Sequence, residues 1–508
     1  CGFFANVKKF NKIEIQNWSR TNLPTAEDLM EYCNKNTLCP YEVNKLLLED
    51  AIIVTAPYIY IFQPFIRNRL LEWLNCNLDD IVLIIDEAHN LPDYAREIGS
   101  AELSLYTLNK AIEESREFKN PKLLTKIDVG FFCEHLKEII TDLVDEYLNG
   151  DDGFIPPSEL ETEIMSRFTL TSNKLKLLIN DLIIHGDIIQ DLKRKKGRLP
   201  RSYIHSIGSF LLFWTSLESG EIDGNCISSD KYAKLIKNGD NSKVEAYCLD
   251  PSVVTNIMTS FASSCCMSGT LKPIDEFKDS IGLPSETIIF YYPSPFPTEN
   301  RAVYYTTDVT SKYDVISSDK TVIEKMGNYI RNICNNFDKN IVIFFPSFGL
   351  MSQFLDDGVH EGLRNRFYIE QRSMTQNMLM DLVENFKLQQ NGTLFSVIGG
   401  RISEGLDFPA ETLEIVIVAG IPYPKPTAKQ RALEHYYDKK FGKGWEYTVN
   451  APTTRKLLQS IGRLIRDKDD RGVVIILDKR ANRFKEYIDG LRSSWDPLED
   501  IQQFFRRG

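Results

Sequence analysis

The residues best suited to chemistry in this chain are Asp86-Glu87-Ala88-His89, which close the apolar run Ile81-Val82-Leu83-Ile84-Ile85. Such a run predicts a buried strand, and in open α/β sheets ligands bind beyond the carboxyl ends of the strands. Two adjacent carboxylates there suit phosphoryl chemistry: Asp86 would hold a magnesium ion bridging nucleotide phosphates, and Glu87 would orient or deprotonate the attacking water. The same four residues also suit a strand that runs into an acidic helix start, where the helix dipole favours Asp and Glu.

A second segment narrows the choice. Gln459-Ser-Ile-Gly462-Arg463-Leu-Ile-Arg466 predicts a helix with Gln459, Arg463 and Arg466 on roughly one face, followed by a strand from Val473 to Leu477. Two guanidinium forks so placed suit the charge that develops on a transferring phosphoryl group. Alone, the segment would equally be a basic helix face paired with Asp467, Asp469 and Asp470. Together, the two segments resemble motifs II and VI of the superfamily 2 helicases.

Elements must hold these groups in place. Apolar runs that end in polar turns recur at Ala51 to Val54, Ile81 to Ile85, Ile341 to Phe345 and Leu394 to Ile398. Continuous runs suit parallel strands covered on both faces, and helical patterns alternate with them, so the expected class is α/β with doubly wound parallel sheets. From about Ala101 to Ser206 the pattern is helical almost throughout. Leu136, Ile139, Ile140, Leu143, Val144, Tyr147 and Leu148 keep the spacing of one helix face, ended by Gly150. This predicts an inserted all-helical domain, broken by the turn-rich Gly150-Asp-Asp-Gly-Phe-Ile-Pro-Pro157.

At the end of that insertion Lys193, Arg194, Lys195, Lys196, Arg198 and Arg201 crowd into one short run. As a helix end stopped by Gly197 the run needs no ligand. As a phosphate-tracking patch it would add salt-dependent, sequence-independent affinity for single-stranded nucleic acid.

At 508 residues, 43% of them hydrophobic, the chain supplies core for three or four domains of a large enzyme. Its most apolar stretch, Ala51 to Ile66, is broken by Thr55, Pro57, Gln63 and Pro64 and is too short to span a bilayer; no signal-peptide pattern precedes it. A net charge of −11 argues against indiscriminate polyanion binding but leaves room for a basic groove on an acidic body. Ten irregularly spaced cysteines do not make a disulfide scaffold and fit a reducing compartment. Cys265 and Cys266 are expected to act as small buried hydrophobes.

Further segments point the same way. Ser268-Gly-Thr-Leu271 resembles motif III, and Gly400-Arg401-x-Ser403-Glu404-Gly405-x-Asp407 resembles motif V. Cys39-Pro-Tyr41, Ser294-Pro-Phe-Pro-x-Glu-Asn-Arg301 and Gly420-Ile-Pro-Tyr-Pro424 look like segments of the XPD branch. In this order, with motifs II and VI, they resemble the XPD-like DNA helicases, whose relatives include DinG and the Fanconi anaemia J helicase.

The resemblance implies an ATP-dependent helicase that moves 5′ to 3′ on single-stranded DNA in DNA repair. A DinG-like helicase, or an ATP-independent DNA-binding or assembly protein on a motor fold, are the alternatives. It implies two RecA-like motor domains, an iron–sulfur module and an arch-like helical insertion. Residues 1–45 would form part of the iron–sulfur module, 46–100 with 207–290 motor domain 1, 101–206 the insertion, and 291–508 motor domain 2. ATP, magnesium and a [4Fe-4S] cluster are the implied cofactors. Asp86 and Glu87 would serve magnesium and water, while His89, Ser268 and Thr270 would couple the nucleotide site to the facing domain. Glu404, Gly405, Asp407 and Gly462 would lie at nucleotide or DNA, and Gln459, Arg463 and Arg466 would complete the ATP site across the cleft. The implied partners are single-stranded, fork or bubble DNA and repair proteins, for a monomer away from membranes, in the cytoplasm by the nucleoid or in a nucleus.

Two departures stand out. No G-x-x-x-x-G-K-[ST] phosphate loop occurs, since Gly442-Lys-Gly444 lacks both the hydroxyl and the upstream glycine. The expectation is that motifs I and Ia lie in roughly 100 residues preceding Cys1. In the family, four thiolates between motifs Ia and II hold the cluster. Cys39 matches the fourth, Cys1-Gly-Phe-Phe4 resembles the third, and Cys33 is a spare. Two unrelated thiols are the alternative.

Overall fold

The computed structural model describes residues 2–124, 126–148, 150–219, 221–222, 225–226, 229–405, 408 and 412–506. Among them, seven parallel strands form the sheet of the C-terminal half. Their order is Phe367–Ile369, Thr393–Val397, Ile341–Phe345, Ile415–Val418, Gly472–Ile476, Arg301–Thr306 and Leu491–Ser494. The central strands are buried on both faces, as continuous apolar runs require. Alternate residues divide between two cores. Val342, Phe344, Val416 and Val474 pack with Leu379, Val383 and Phe386 of helix Gln376–Lys387 and Leu457 and Ile461 of helix Ala451–Gly462. Ile341, Ile343, Phe345, Ile417 and Ile475 face Ile323, Met326, Ile330 and Ile333 of helix Lys320–Asn336 instead. This is the doubly wound layering expected of a RecA-like motor domain.

In the first motor domain, Val82–Ile85 pairs in parallel with Ser263–Cys266, Val82 opposite Ser263 and Ile85 opposite Cys266. Leu83 and Ile85 enter a core with Phe62, Leu91, Met258, Phe261, Phe277 and Ile281, whereas Val82 and Ile84 are exposed on the other face. Two expectations fail here. Ala51 to Val54 forms no strand and leaves Ile52 and Ile53 exposed, because no described strand offers it a ladder. Cys265 is exposed rather than buried, since it follows the same outward face as Val82 and Ile84.

The insertion holds the expected helices, among them Leu105–Glu117, Val129–Tyr147, Ser172–Lys195 and Tyr203–Ser219. The last two approach closely where Gly186 meets the backbone of His205, a space that a Cβ at residue 186 would fill. The insertion is not all-helical, however. An antiparallel sheet in the order Ala101–Ser104, Lys243–Cys248, Tyr232–Lys237, Asp152–Phe154 shares its core, with Leu103, Ile236, Val244 and Ala246 buried against Leu108, Ile140 and Leu211. Most of its ladder comes from residues beyond Ser206, where Tyr232 to Cys248 alternates in the short period of strands around an Asn238-Gly239 turn. Near the start of the chain, helices Lys12–Asn22, Ala26–Lys35 and Pro40–Leu48 close around Ile15, Cys33, Leu38 and Val43.

Candidate active site at the facing strand ends

The strand Val82–Ile85 delivers Asp86 and Glu87 to its carboxyl end, where both are exposed. The chain turns sharply there. Glu87 takes a left-handed backbone, φ +47°, unusual for a residue with a Cβ, and Ala88 N–H donates to the Met267 carbonyl at 3.0 Å. Asp86 Oδ1 accepts from Glu87 N–H at 2.9 Å, and its backbone carbonyl accepts from Tyr58 Oη. Burial, then the charges of Cys266, Asp86 and Glu87, push the Tyr58 phenol up to about 12, so it stays a donor. Tyr58 carried no sign of this role beyond its place in the turn after Val54.

His89 lies between the two sheets. Its Nδ1 is 2.9 Å from Ser268 Oγ and 3.2 Å from Glu87 Oε2, and its Nε2 is 2.6 Å from Gln459 Nε2. Ser268 Oγ donates to Glu87 Oε2 at 3.1 Å and accepts from Thr270 N–H at 3.1 Å. One tautomer satisfies every contact: the Gln459 amide donates to an unprotonated Nε2, and Nδ1–H faces the Ser268 hydroxyl and the Glu87 carboxylate. Glu87, expected at the water, His89, Ser268 and Thr270, expected in the coupling layer, and Gln459, expected across the cleft, are therefore linked by one chain of contacts.

The arginines differ from expectation. Helix Ala451–Gly462 ends before them, so Gln459, Arg463 and Arg466 do not share one helical face. Arg463 caps the helix C-terminus, is buried, and donates from Nε to the Ser403 carbonyl at 2.8 Å, tying this end to the motif V turn. Arg466 is exposed in the following bend, where its N–H and that of Asp467 donate to Asp470 Oδ2 at 2.6 and 2.8 Å. Asp470 thus stops the helix that the sequence pattern extends. Gly462 is exposed with open space around it. Glu404 and Gly405 lie on helix Arg401–Gly405, but their side chains, and all of Asp407, fall outside the described residues. A cavity of about 250 Å³ opens at the sheet's carboxyl edge, lined by Ser347, Phe348, Arg372, Val397, Gly399 and Gly400.

The basic run divides. Lys193 is buried in an ion pair with Glu114 at 2.6 Å, which also accepts from Ser202 Oγ and Ile204 N–H, so Lys193 is not part of a surface patch. Arg194 pairs with Asp191 and Arg198 with Glu117, while the Arg201 guanidinium lies 4.9 Å from the Tyr203 ring centre. Lys195 and Lys196 are exposed.

Cys1 lies outside the described residues. Cys39 is half-buried at the start of helix Pro40–Leu48, and Cys33 is fully buried nearby, its thiol pushed up by burial and by Cys39. Among the described residues no group of three or more His, Cys, Asp or Glu converges on a metal position. A four-thiolate cluster therefore does not fit the described residues by themselves. Asp86 does fit magnesium, which takes hard carboxylate oxygens together with substrate phosphates.

Three family models tile the chain: DEAD_2 over residues 1–108, the helical and beta-bridge domain over 111–314, and the helicase C-terminal domain over 330–497. The second accounts for the strands found in the insertion. ATP-dependent DNA helicase CHL1 from Debaryomyces hansenii is 28% identical over 548 residues, covering 99% of this chain and 63% of that protein. ATP-dependent DNA helicase XPD from Sulfolobus acidocaldarius is 26% identical, covering 88% of this chain and 72% of that protein. A solved XPD helicase matches with a TM-score of 0.59 at 21% identity, over 92% of this chain and 78% of that one, a likeness of fold. The chain spans 63%, 59% and 60% of three CHL1 relatives. The chain belongs to the XPD-like superfamily 2 helicases.

Proposed function

We propose that this chain carries an ATP site shared between its two sheets, and the domain-coupling machinery, of an ATP-dependent DNA helicase that translocates 5′ to 3′ on single-stranded DNA. The observation that carries the reading is the contact of Gln459 with His89, which joins the two strand ends where phosphoryl chemistry belongs. Magnesium, when bound through Asp86, would neutralise charge on the nucleotide phosphates. Glu87, held by Ser268 and beside His89, orients or deprotonates the attacking water. Arg466, exposed, and Arg463, tied to the motif V turn, complete the site from the facing sheet. Because groups from both sheets are needed, nucleotide favours closure and its hydrolysis relaxes it, which is what a motor requires.

The other expected features belong to the same proposal. Cys39, with Cys1, would supply thiolates to an iron–sulfur cluster, and repair proteins and forked DNA are the partners. The test is ATP turnover by the full-length protein with and without single-stranded DNA, together with strand displacement from duplexes carrying either a 5′ or a 3′ tail. DNA-stimulated turnover with displacement only from the 5′ tail is expected. DNA binding without turnover would favour an ATP-independent assembly role instead.

A further inference from the structure

Helix Leu91–Gly99, which follows the Asp86–His89 turn, carries Arg96 into the contact between the two halves of the molecule. Arg96 Nη2 donates to Tyr437 Oη at 2.8 Å. Tyr437 in turn donates to Ser280 Oγ at 3.1 Å, and Ser280 donates to Glu276 Oε1 at 2.7 Å. The second carboxylate oxygen, Glu276 Oε2, accepts from Arg455 Nη2. Donor and acceptor sense run consistently, with a guanidinium at each end, two hydroxyls that each accept once and donate once, and a single carboxylate. No member retains more than 7% of its surface.

This chain of contacts alternates between the halves. Arg96, Ser280 and Glu276 stand on helices that pack on the two-stranded sheet, through Leu91, Phe277 and Ile281. Tyr437 is on helix Ala428–Phe441, and Arg455 is on helix Ala451–Gly462, which packs on the seven-stranded sheet. Arg455 lies one turn before Gln459 on the same helix face, and Gln459 touches His89, so the chain closes into a ring that begins and ends at the DEAH turn. A second tie reinforces it: Tyr447, in the π-helical turn Glu446–Asn450 just before the helix, donates to Asp279 at 2.5 Å.

Stability alone does not account for such a ring. Apolar side chains of similar volume would usually stabilise a buried contact at least as well as an ion pair, and the Nε atoms of Arg96 and Arg455 are buried without partners. What a directional polar ring does confer is register. We infer that Arg96, Tyr437, Ser280, Glu276 and Arg455 are positioning residues that set helix Ala451–Gly462 against the DEAH turn and thereby hold Gln459 on His89. The catalytic consequence rests on the ATP-hydrolysing reading above; the positional one does not.

Tyr437→Phe removes one hydroxyl and keeps the ring. DNA-stimulated kcat should fall ~5- to 10-fold while KM for ATP stays within about 2-fold, because the ring acts on transition-state geometry and not on nucleotide binding. In a Gln459→Ala background the same substitution should cost nothing further, since its effect passes through Gln459. The neighbouring Tyr436→Phe, whose hydroxyl accepts from Lys440 and bonds the buried Asp250, removes a different polar contact outside the ring and serves as control. Amide exchange across residues 451–462 of the nucleotide-free protein should quicken in Tyr437→Phe and not in Tyr436→Phe, a readout independent of turnover. Independent losses in the double variant, or unchanged exchange in that helix, would overturn the inference. Absence of turnover in the unaltered protein would instead defeat the proposed function, leaving exchange to decide the positional claim.

Discussion

Gln459 and His89, 370 positions apart, meet with their Nε2 atoms 2.6 Å from each other, and the other imidazole nitrogen is 3.2 Å from Glu87. A side chain of a helix packed on the C-terminal sheet is thus one imidazole away from the carboxylate proposed to handle water. Any movement of helix Ala451–Gly462 is felt at that carboxylate through a ring with no rotatable polar hydrogen. This gives closure a direct route to the chemistry.

Glu87→Gln keeps the size and the Ser268 hydrogen bond but removes the base. ATP turnover should fall at least ~100-fold with ATP and DNA binding retained. Turnover in a coupled assay and affinity by fluorescence anisotropy check both halves; unchanged turnover would remove Glu87 from the mechanism.

Arg463 and Arg466 should separate. Arg463→Ala strands the buried Ser403 carbonyl and should lower folding stability by ~1–3 kcal/mol in addition to cutting turnover. Arg466→Ala, at an exposed bend whose backbone is held by Asp470, should lower the melting temperature less than Arg463→Ala does and reduce kcat more than ATP affinity. Equal thermal effects from the two substitutions would contradict the assignment of a capping role to Arg463 alone.

Much of the motor was legible because its signals are local. Ile341 to Phe345 is a strand over the very residues that read as one, and Asp86 to His89 sits where a strand end puts it. The failures have a common cause in distance along the chain. Asp470 ends the helix that the spacing of Gln459, Arg463 and Arg466 would prolong, because its carboxylate competes for the backbone N–H groups of Arg466 and Asp467. The ring through Tyr437 joins residues 157 and 179 positions apart, and no periodicity encodes such a meeting. Strand 243–248 pairs with 101–104 across five helices and strand 232–237 with 152–154 across three, so a reading confined to residues 101–206 could not include them.

Lys193 shows how a charge run misleads when one member is buried, and it supports the last prediction. Its partner Glu114 lies 79 positions upstream and gathers Lys193, Ser202 and Ile204 around one carboxylate, fixing the turn after helix Ser172–Lys195. Lys193→Ala would leave that carboxylate buried without its cation, so it should destabilise the insertion by ~3–5 kcal/mol. Lys195→Ala with Lys196→Ala removes only exposed charge and should leave folding unchanged. If the run tracks a DNA backbone, the pair should weaken single-stranded DNA binding uniformly across sequences and lower the slope of log affinity against log salt by about 1–2, as fewer counterions are released. Chemical denaturation and salt-dependent anisotropy distinguish the two kinds of loss. A normal salt slope in the Lys195/Lys196 double variant would return the run to the plain role of a solvated helix end.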